Sequence, residues 1–573
     1  MADAQTEGLK KPLRLWPGVV IVVLQWLSRF VIPIVFPDVM EYGVMGALLG
    51  GVLVIVWWAF FSRAPRFERW GAVVVMVVAL VATPLILHES IATGMMGLMF
   101  LLYAIPVLSM TFVVWAVVGQ RLADGPRRIA MVVAIFLACG MWALFKTGGF
   151  TSDMDQDFSW RWAETPEDRL VAQEGDKPMV PHSALEIAET GVAWPGFRGS
   201  DRDGIVRGVQ IETDWSTSPP VELWRRPIGP GWSSFAARGD VFYTQEQRGD
   251  YEVVACYNVT TGEPMWRHRD KARFWEANAG AGPRGTPTLS GDRVYTFGAT
   301  GILNALNATD GTVVWSRNAA SDTDAKLPDW AFSSSPLVVD DLVIVATSGS
   351  LVAYDRDTGE PRWFGPAAGT SYSSPHLSTI DGVAQILQLN GDGIVSVQSA
   401  DGKVLWQHEW SGYPIVQPAV TSDGDVLISV SDRGGLRRIG ITHELGKWAA
   451  EERWTSIGLK PYFSDFVIHE GHAYGVDGRI LSCINIDDGK RKWKGGRYGS
   501  GQLVLLADQG LLLVLSEKGE LALVKAAPDK FIELGRVSAI EGKTWNHPVL
   551  VGDVLLVRNA HEMAAFRLSL EGS

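Results

Sequence analysis

Seven aromatic residues recur at one place in a repeated pattern. Trp232, Trp330, Tyr372, Tyr413, Tyr462, Tyr498 and Trp545 stand just ahead of short polar openings that lead into apolar runs. Arg284, Asp329, Lys460, Asp465, Arg497 and His547 lie close to them in the chain. Rings gathered with arginine and lysine suit a planar, polyanionic quinone, which stacks on the rings and pairs with the cations. They suit a peptide or a sugar equally well, and the same rings can simply plug a packed face. His547 has the chemistry of a base or a cofactor ligand. No carboxylate, serine or cysteine is tied to it by spacing, so a hydrolase has no support.

Metal chemistry is thinly represented. His469 and His472 are three apart, and a single strand would turn them to opposite faces. Asp153, Asp155, Asp157 and Glu164 copy the spacing of a calcium loop. Phe158 stands where that loop needs glycine, however, and Arg161 where it needs a ligand, which favours a solvated linker. Of the three cysteines, Cys139 lies in an apolar segment. Cys256 and Cys483 share a repeat position with Ala305, Ala353 and Ser396, which predicts free, buried thiols in a small-residue slot. Asn258 and Asn307 sit in glycosylation sequons, yet each merely replaces a turn aspartate.

The elements that position these residues follow from a second periodicity. Trp224, Trp266, Trp315, Trp363, Trp406, Trp454 and Trp493 recur every 39 to 49 residues, most of them just after an Asp/Asn-Gly turn. Asn258-Val-Thr-Thr-Gly-Glu-Pro-Met-Trp266 and Asp355-Arg-Asp-Thr-Gly-Glu-Pro-Arg-Trp363 show the unit. The openings number eight and begin at Ser233, Gly285, Ser334, Ser373, Val416, Phe463, Ser500 and Asn546. Proline is tolerated at the start of a strand, where no ladder donor is yet required. Glycines 262, 311, 359, 402 and 489 supply positive φ at the turns. Such a unit hides neither face alone, so eight must stack around a channel as an eight-bladed, all-β propeller. The tryptophans are expected to pack against neighbouring blades, with Leu534 in the tryptophan's place in the last full repeat. The final strand, Met563–Arg567, has no outer strand after it, so the segment around Trp224 is expected to close the ring.

Composition divides the 573 residues at about 148. Five apolar stretches precede that point, at roughly 17–36, 40–61, 71–88, 95–118 and 129–147, each long enough to span a bilayer. Nine basic residues (Lys10, Lys11, Arg14, Arg63, Arg66, Arg69, Arg121, Arg127, Arg128) fall on one side and none in the loops at Asp38–Glu41 and His88-Glu89. The N-terminus is therefore expected in the cytoplasm and everything beyond residue 150 outside it, as in a protein of the bacterial cytoplasmic membrane with a periplasmic propeller. Arg29 lies inside the first span, either snorkelling outward or facing a quinone head group or Glu89. Residues 149–193 read as an acidic linker, with ten acidic and three basic residues over 151–193. A net charge of −12 excludes a nucleic-acid partner, which would demand a basic stripe.

From residue 194 onward the chain resembles the pyrroloquinoline-quinone-repeat β-propellers. The resemblance rests on the Asp-x-x-Thr-Gly-Glu-x-x-Trp repeats and the opening Trp194-Pro-Gly-Phe-Arg-Gly-Ser-Asp-Arg-Asp-Gly204. Phe158–Trp162 with Thr165–Arg169 is similar to part of a membrane-anchored subfamily with five spans. That superfamily includes quinoprotein dehydrogenases and the lipoprotein of the outer-membrane barrel-assembly machinery. The resemblance therefore implies two readings of different kinds. One is a membrane-anchored binding or scaffold module whose rim or channel mouth takes a protein or small ligand. The other is a dehydrogenase that holds pyrroloquinoline quinone with calcium and passes electrons to membrane quinone. The propeller is far shorter than in the dehydrogenases and carries no adjacent cysteine pair. No glutamate, asparagine and aspartate calcium set can be placed on matching positions.

Overall fold

The computed structural model describes residues 13–36, 40–153, 155–174, 193–431 and 433–572. Lys10, Lys11, the loop at Asp38 and the linker from 175 to 192 lie outside the described residues. The chain forms two compact units. The first comprises Met1–Phe150, Gln156–Ala163 and Glu276–Ala279, and the second Thr151–Asp155, Glu164–Trp275 and Gly280–Ser573.

Among the described residues of the first unit, five helices are long and apolar enough to cross a membrane: Trp16–Val35, Tyr42–Phe61, Arg66–Leu85, Met99–Arg121 and Asp124–Leu144. Their bounds fall within a few residues of the predicted spans. The helices pack around Trp57 and Trp58, both buried. A Cβ on Gly18 would lie 2.5 Å from the Trp57 ring, so close approach of two helices requires glycine there. Trp58 meets Phe112 edge-on at 4.9 Å. Glu68 is buried near Arg128 at 3.4 Å and Arg127 at 3.7 Å. Arg29 sits in a π-helical turn, Leu27–Val31, with its guanidinium 5.2 Å from the Tyr103 ring and 5.5 Å from that of Phe30. The expected linker begins with structure: Phe145–Phe150 pairs with Gln156–Trp160. Phe145 stacks on Trp160 at 4.9 Å and Trp160 on Trp162 at 5.4 Å, giving this hairpin an apolar face despite the acidic composition. A helix, Pro166–Glu174, follows.

Among the described residues, the second unit forms a ring of eight blades, numbered in the order of their openings from Ser233 to Asn546; their strands pair antiparallel, except that Ile205–Val206 joins blade 7 in parallel. Blade 2 shows the unit, running outward through Thr288–Ser290, Arg293–Phe297, Ile302–Asn307 and Val313–Asn318. Blade 8 supplies Val549–Val551, Val554–Arg558 and Glu562–Arg567, and Val221–Pro227 completes it with Trp224 opposite Ala565. Ring closure is thus the one expected. Arg558 fastens it from blade 8 to blade 1, donating to Thr244 Oγ1 at 2.7 Å and to the carbonyls of Gln245, Gly229 and Gly231 at 2.9, 3.1 and 3.3 Å.

The outer-strand tryptophans cross into the next blade. Trp224, Trp266, Trp315, Trp454 and Trp493 donate from Nε1 to the carbonyls of Val259, Ala308, Arg356, Ile486 and Ala527 at 2.8–3.0 Å. Each of the first four indoles lies on the turn glycine of that next blade. At Gly311, whose φ is +72°, an added Cβ would stand 2.4 Å from the Trp266 ring. The turn glycine thus serves both left-handed backbone and close approach. The small-residue slot is the cross-strand partner of the indole, with Cys256 opposite Trp266, Ala305 opposite Trp315 and Cys483 opposite Trp493. All three cysteines are free and buried.

Three expectations need correction. Register places Gly535, not Leu534, at the tryptophan position of blade 7, opposite Leu523. The indole comes instead from Trp215, whose ring lies 3.2 Å from where a Cβ on Gly535 would be. In blade 5 the slot holds Arg438, opposite Trp454 and paired with Asp425 at 2.7 Å and Asp423 at 2.5 Å. Finally, His469 and His472 do not share a strand. They flank the two-residue turn Glu470-Gly471 as a directly opposed pair, and opposed residues lie on one face.

Candidate functional site

The polar openings form a belt around the channel. The backbone N–H of Ser234 donates to Thr286, that of Thr286 to Ser335, that of Ser335 to Ser374 and that of Ser374 to Gln417, at 2.9–3.2 Å. Gln417 then donates to Asp465 at 2.8 Å and Asp465 to Gln502 at 3.2 Å. Gln502 Nε2 reaches the Trp545 carbonyl at 3.2 Å, and Ser234 Oγ reaches the His547 carbonyl at 2.7 Å. All eight blades are linked. The serine, threonine and amide residues of the openings are thereby explained as inter-blade acceptors near the axis, where an unpaired N–H would be costly.

The segment Trp194–Gly204 fills the space inside the belt. Trp194 pairs with Ala237 antiparallel, so the chain enters from the side where the innermost strands end. It crosses the ring, since Leu289 N–H of blade 2 donates to the Pro195 carbonyl at 2.7 Å and Leu505 N–H of blade 7 to that of Gly204 at 2.9 Å. Arg202 donates to the Pro336 and Ser335 carbonyls of blade 3 at 2.9 and 3.0 Å. Arg198 meets Asp465 of blade 6 at 2.9 Å and donates to the Phe466 carbonyl at 2.7 Å. Phe197 lies edge-on to the His547 ring of blade 8 at 5.0 Å. Arg198 and Arg202 adopt positive φ, +61° and +56°, a strain that the buried ion pair and carbonyl bonds offset.

The electrostatics of this plug are those of a structural core. Burial alone would raise the Asp465 carboxyl, but Arg198 and His547 outweigh it and hold its pKa low. Burial drives His547 down despite Asp465, 3.1 Å away. Burial, then Arg202 and Arg198, push His376 down to about 3. Both histidines are therefore neutral near pH 7. The Asp465–His547 pairing escapes sequence spacing because the two are 82 residues apart; only their like places in the openings of blades 6 and 8 could have signalled it.

Beyond the plug, the seven aromatics do not converge on one ligand. Trp232 packs on Trp545 at 4.9 Å, Trp545 on Phe463 at 4.9 Å and Phe463 on Tyr462 at 5.3 Å. Trp330 and Tyr372 form a separate pair at 5.0 Å. Tyr413 is 65% exposed. Tyr498 turns outward, donating to Glu533 at 2.5 Å with Arg536 over its ring at 5.0 Å. Lys543 caps both Trp545 and Trp232, 4.4 and 5.4 Å from their centroids. The cations are also dispersed. Arg284 donates to the carbonyls of Gly280, Ala281 and Gly282 at 2.6–3.1 Å and lies over Phe274. Arg497 bonds Asp153 at 2.9 Å, and burial of that carboxyl is outweighed by Arg497, Arg479 and Lys518, which keep its pKa low. Asp329 is exposed. Lys460 belongs to a cleft between blades 5 and 6. A flat polyanionic quinone does not fit these residues: a lysine covers the tryptophan faces, and the arginines are spent on carbonyls and an aspartate. Among the described residues, no three His, Cys, Asp or Glu side chains form a group able to hold a metal ion.

A family profile described as "Outer membrane protein assembly factor BamB" matches residues 204–386 and 390–554. The outer membrane protein assembly factor BamB of Yersinia pestis is 24% identical over 378 residues, covering 61% of this chain and 88% of that protein. Quinohemoprotein alcohol dehydrogenase ADH IIB of Pseudomonas putida is 31% identical over 120 residues, 19% of this chain and 17% of the enzyme. The solved quinohemoprotein alcohol dehydrogenase of Comamonas testosteroni superposes with a TM-score of 0.50 at 12% identity, covering 71% of this chain and 85% of that one. At that identity the likeness concerns the fold alone.

Proposed function

Because the chain belongs to the family described as outer membrane protein assembly factor BamB, we propose that it is a membrane-anchored scaffold whose propeller rim binds a protein partner. The observation that carries this reading is the plug. Residues 194–204 occupy the axis on which a propeller enzyme would hold its cofactor, and they are tied to it by the Arg198–Asp465 ion pair. What the propeller presents to a partner is then its rim. Blade 5 carries the longest paired hairpin among the described residues, with Leu436–Glu444 paired along Lys447–Ser456 and Leu445 fully exposed at the tip. The hairpin is braced by His443, which stacks on Trp448 at 4.0 Å and pairs with Asp381 of blade 4 at 2.8 Å. A rigid projecting element with an apolar tip suits a protein contact.

The five apolar helices support anchoring, and the nine basic residues on one side support a cytoplasmic N-terminus with the propeller outside a bacterial cytoplasmic membrane. The dehydrogenase reading would need a cofactor slot on the axis, where residues 194–204 lie, and a calcium set, which no three His, Cys, Asp or Glu side chains form among the described residues. A photocrosslinking residue at position 445, with one at Val313 as control, tests the proposal in native membranes. A discrete adduct from 445 alone is expected. Equal labelling from both positions, or none from 445, would contradict a binding role for this rim.

A further inference from the structure

The cleft between blades 5 and 6 reverses the charge of the chain. It has a volume of about 730 Å³ and is lined by Thr455–Gly458, Lys460, Asp477 and Asp488–Arg491 with Lys494. At its floor lies the Asp477 carboxylate, almost wholly buried. Its Oδ2 accepts from Arg491 at 2.7 Å and Lys494 at 2.8 Å, and Lys460 stands 3.5 Å from Oδ1. Three cations thus share one carboxylate. Lys490 is paired with Asp488 at 2.9 Å and brings no further excess. The cleft therefore carries two uncompensated positive charges in a protein of net charge −12.

The walls are fixed rather than loose. Arg491 Nε donates to the Gly458 carbonyl at 2.9 Å and its Nη2 to that of Ile457 at 3.3 Å. Ser456 Oγ donates to the Gly489 carbonyl at 2.5 Å and accepts from Gly458 N–H at 3.0 Å, locking blade 5 to blade 6. Lys460 and Lys494 keep about a third of their side-chain surface in solvent, so protons not directed at Asp477 remain open to a ligand. At the lip Ile457 is 69% exposed.

We propose that this cleft docks an acidic peptide segment of the partner protein, with carboxylates on Lys460 and Lys494 and an aliphatic side chain against Ile457. The inference rests on the scaffold reading and names the partner's chemistry. A single small anion would use the lysines but leave the apolar lip bare, whereas an extended acidic segment fills both the charge and the volume. Flexible ammonium groups also suit carboxylates whose spacing varies, where a rigid guanidinium fork would demand one geometry.

The test uses the full chain in nanodiscs and a fluorescein-labelled decapeptide of aspartate and glutamate with a central leucine, read by anisotropy. Its asparagine and glutamine counterpart is the control. Binding of the acidic peptide alone is expected, weakening steeply between 50 and 300 mM salt. Lys460→Gln with Lys494→Gln is expected to weaken it at least tenfold, and Ile457→Ser about threefold. Should the double variant not fold, Lys460→Gln alone with Ile457→Ser gives the same reading at reduced size. Equal binding by the neutral peptide, or an unchanged affinity in the variants, overturns the proposal. So does displacement of the acidic peptide by phosphatidylglycerol vesicles at sites these variants remove, which would assign the cleft to lipid. A crosslink from position 445 that persists while the peptide fails to bind would remove this inference and leave the scaffold reading standing.

Discussion

Arg198 and Asp465, 267 positions apart in sequence, meet at 2.9 Å near the propeller axis, both almost fully buried. The pair joins the opening segment of the propeller to blade 6, and through Gln417 N–H and His547 to blades 5 and 8. Removing one partner of a buried pair leaves an uncompensated charge. Arg198→Met is therefore expected to cost about 3–5 kcal/mol, with much of the loss recovered in Arg198→Met/Asp465→Asn. Urea unfolding of the four proteins measures the coupling. The folded-state pKa of Asp465 lies below 3.8, so its contribution is present above that value and lost as the pH falls through the lower one.

The indole-on-glycine contact between blades gives a sharper test of packing. Gly311→Ala places a Cβ 2.4 Å from the Trp266 ring and forces a non-glycine residue to φ +72°. About 2 kcal/mol or more of destabilisation is expected from strain and clash together. Gly291→Ala, at φ +59° with open space around it, should show the strain alone. Thermal unfolding of the two variants separates the terms.

Blade 7 offers a complementary case, because Trp215 lies outside the repeat that it completes. Trp215→Ala is expected to destabilise the propeller as much as Trp266→Ala, about 3–5 kcal/mol. A loss below 1 kcal/mol by calorimetry would show that its ring does not stand in for the missing indole.

Glu252 makes stability fall as the pH rises. Burial, and then the Asp270 carboxylate directly opposite it, push its pKa from 4.5 to about 7. An acid whose pKa is raised by folding keeps its proton longer in the folded state. Stability should therefore decline as the pH rises from 4.5 through about 7 and stay level above. Glu252→Gln is expected to remove this slope and to gain on the order of 2 kcal/mol over the natural chain at pH 8. Denaturant midpoints between pH 5 and 8 measure it.

The fold was legible because its determinants are local and repeated. The Asp/Asn-Gly turn, the tryptophan after it and the small residue opposite recur within most units, and closure by the Trp224 strand follows from counting strands. Leu534 misled because the turn between the last two strands of blade 7 is longer: Leu523 pairs with Gly535, twelve positions on, where Ala305 pairs with Trp315, ten positions on. The site was less legible. Ahead of seven of the eight openings the sequence shows an aromatic, but the direction of a ring depends on the neighbours that the folded ring supplies. Tyr498 finds Glu533 and Arg536 and turns away, whereas Trp545 finds Trp232 and Lys543. The plug was legible only as a family motif. Its chemistry lies in contacts between Arg198 and Arg202 and residues more than 130 positions away, which no local pattern encodes.

If the chain's own Trp194–Gly204 segment seals the axis, binding belongs to the rim. Calorimetric titration of pyrroloquinoline quinone into the full chain, with and without calcium, tests it most directly. No saturable heat is expected under either condition from a protein that unfolds cooperatively. Calcium-dependent binding at micromolar affinity or tighter, lost on Arg284→Ala or Arg497→Ala, would show an open axial site and restore the dehydrogenase.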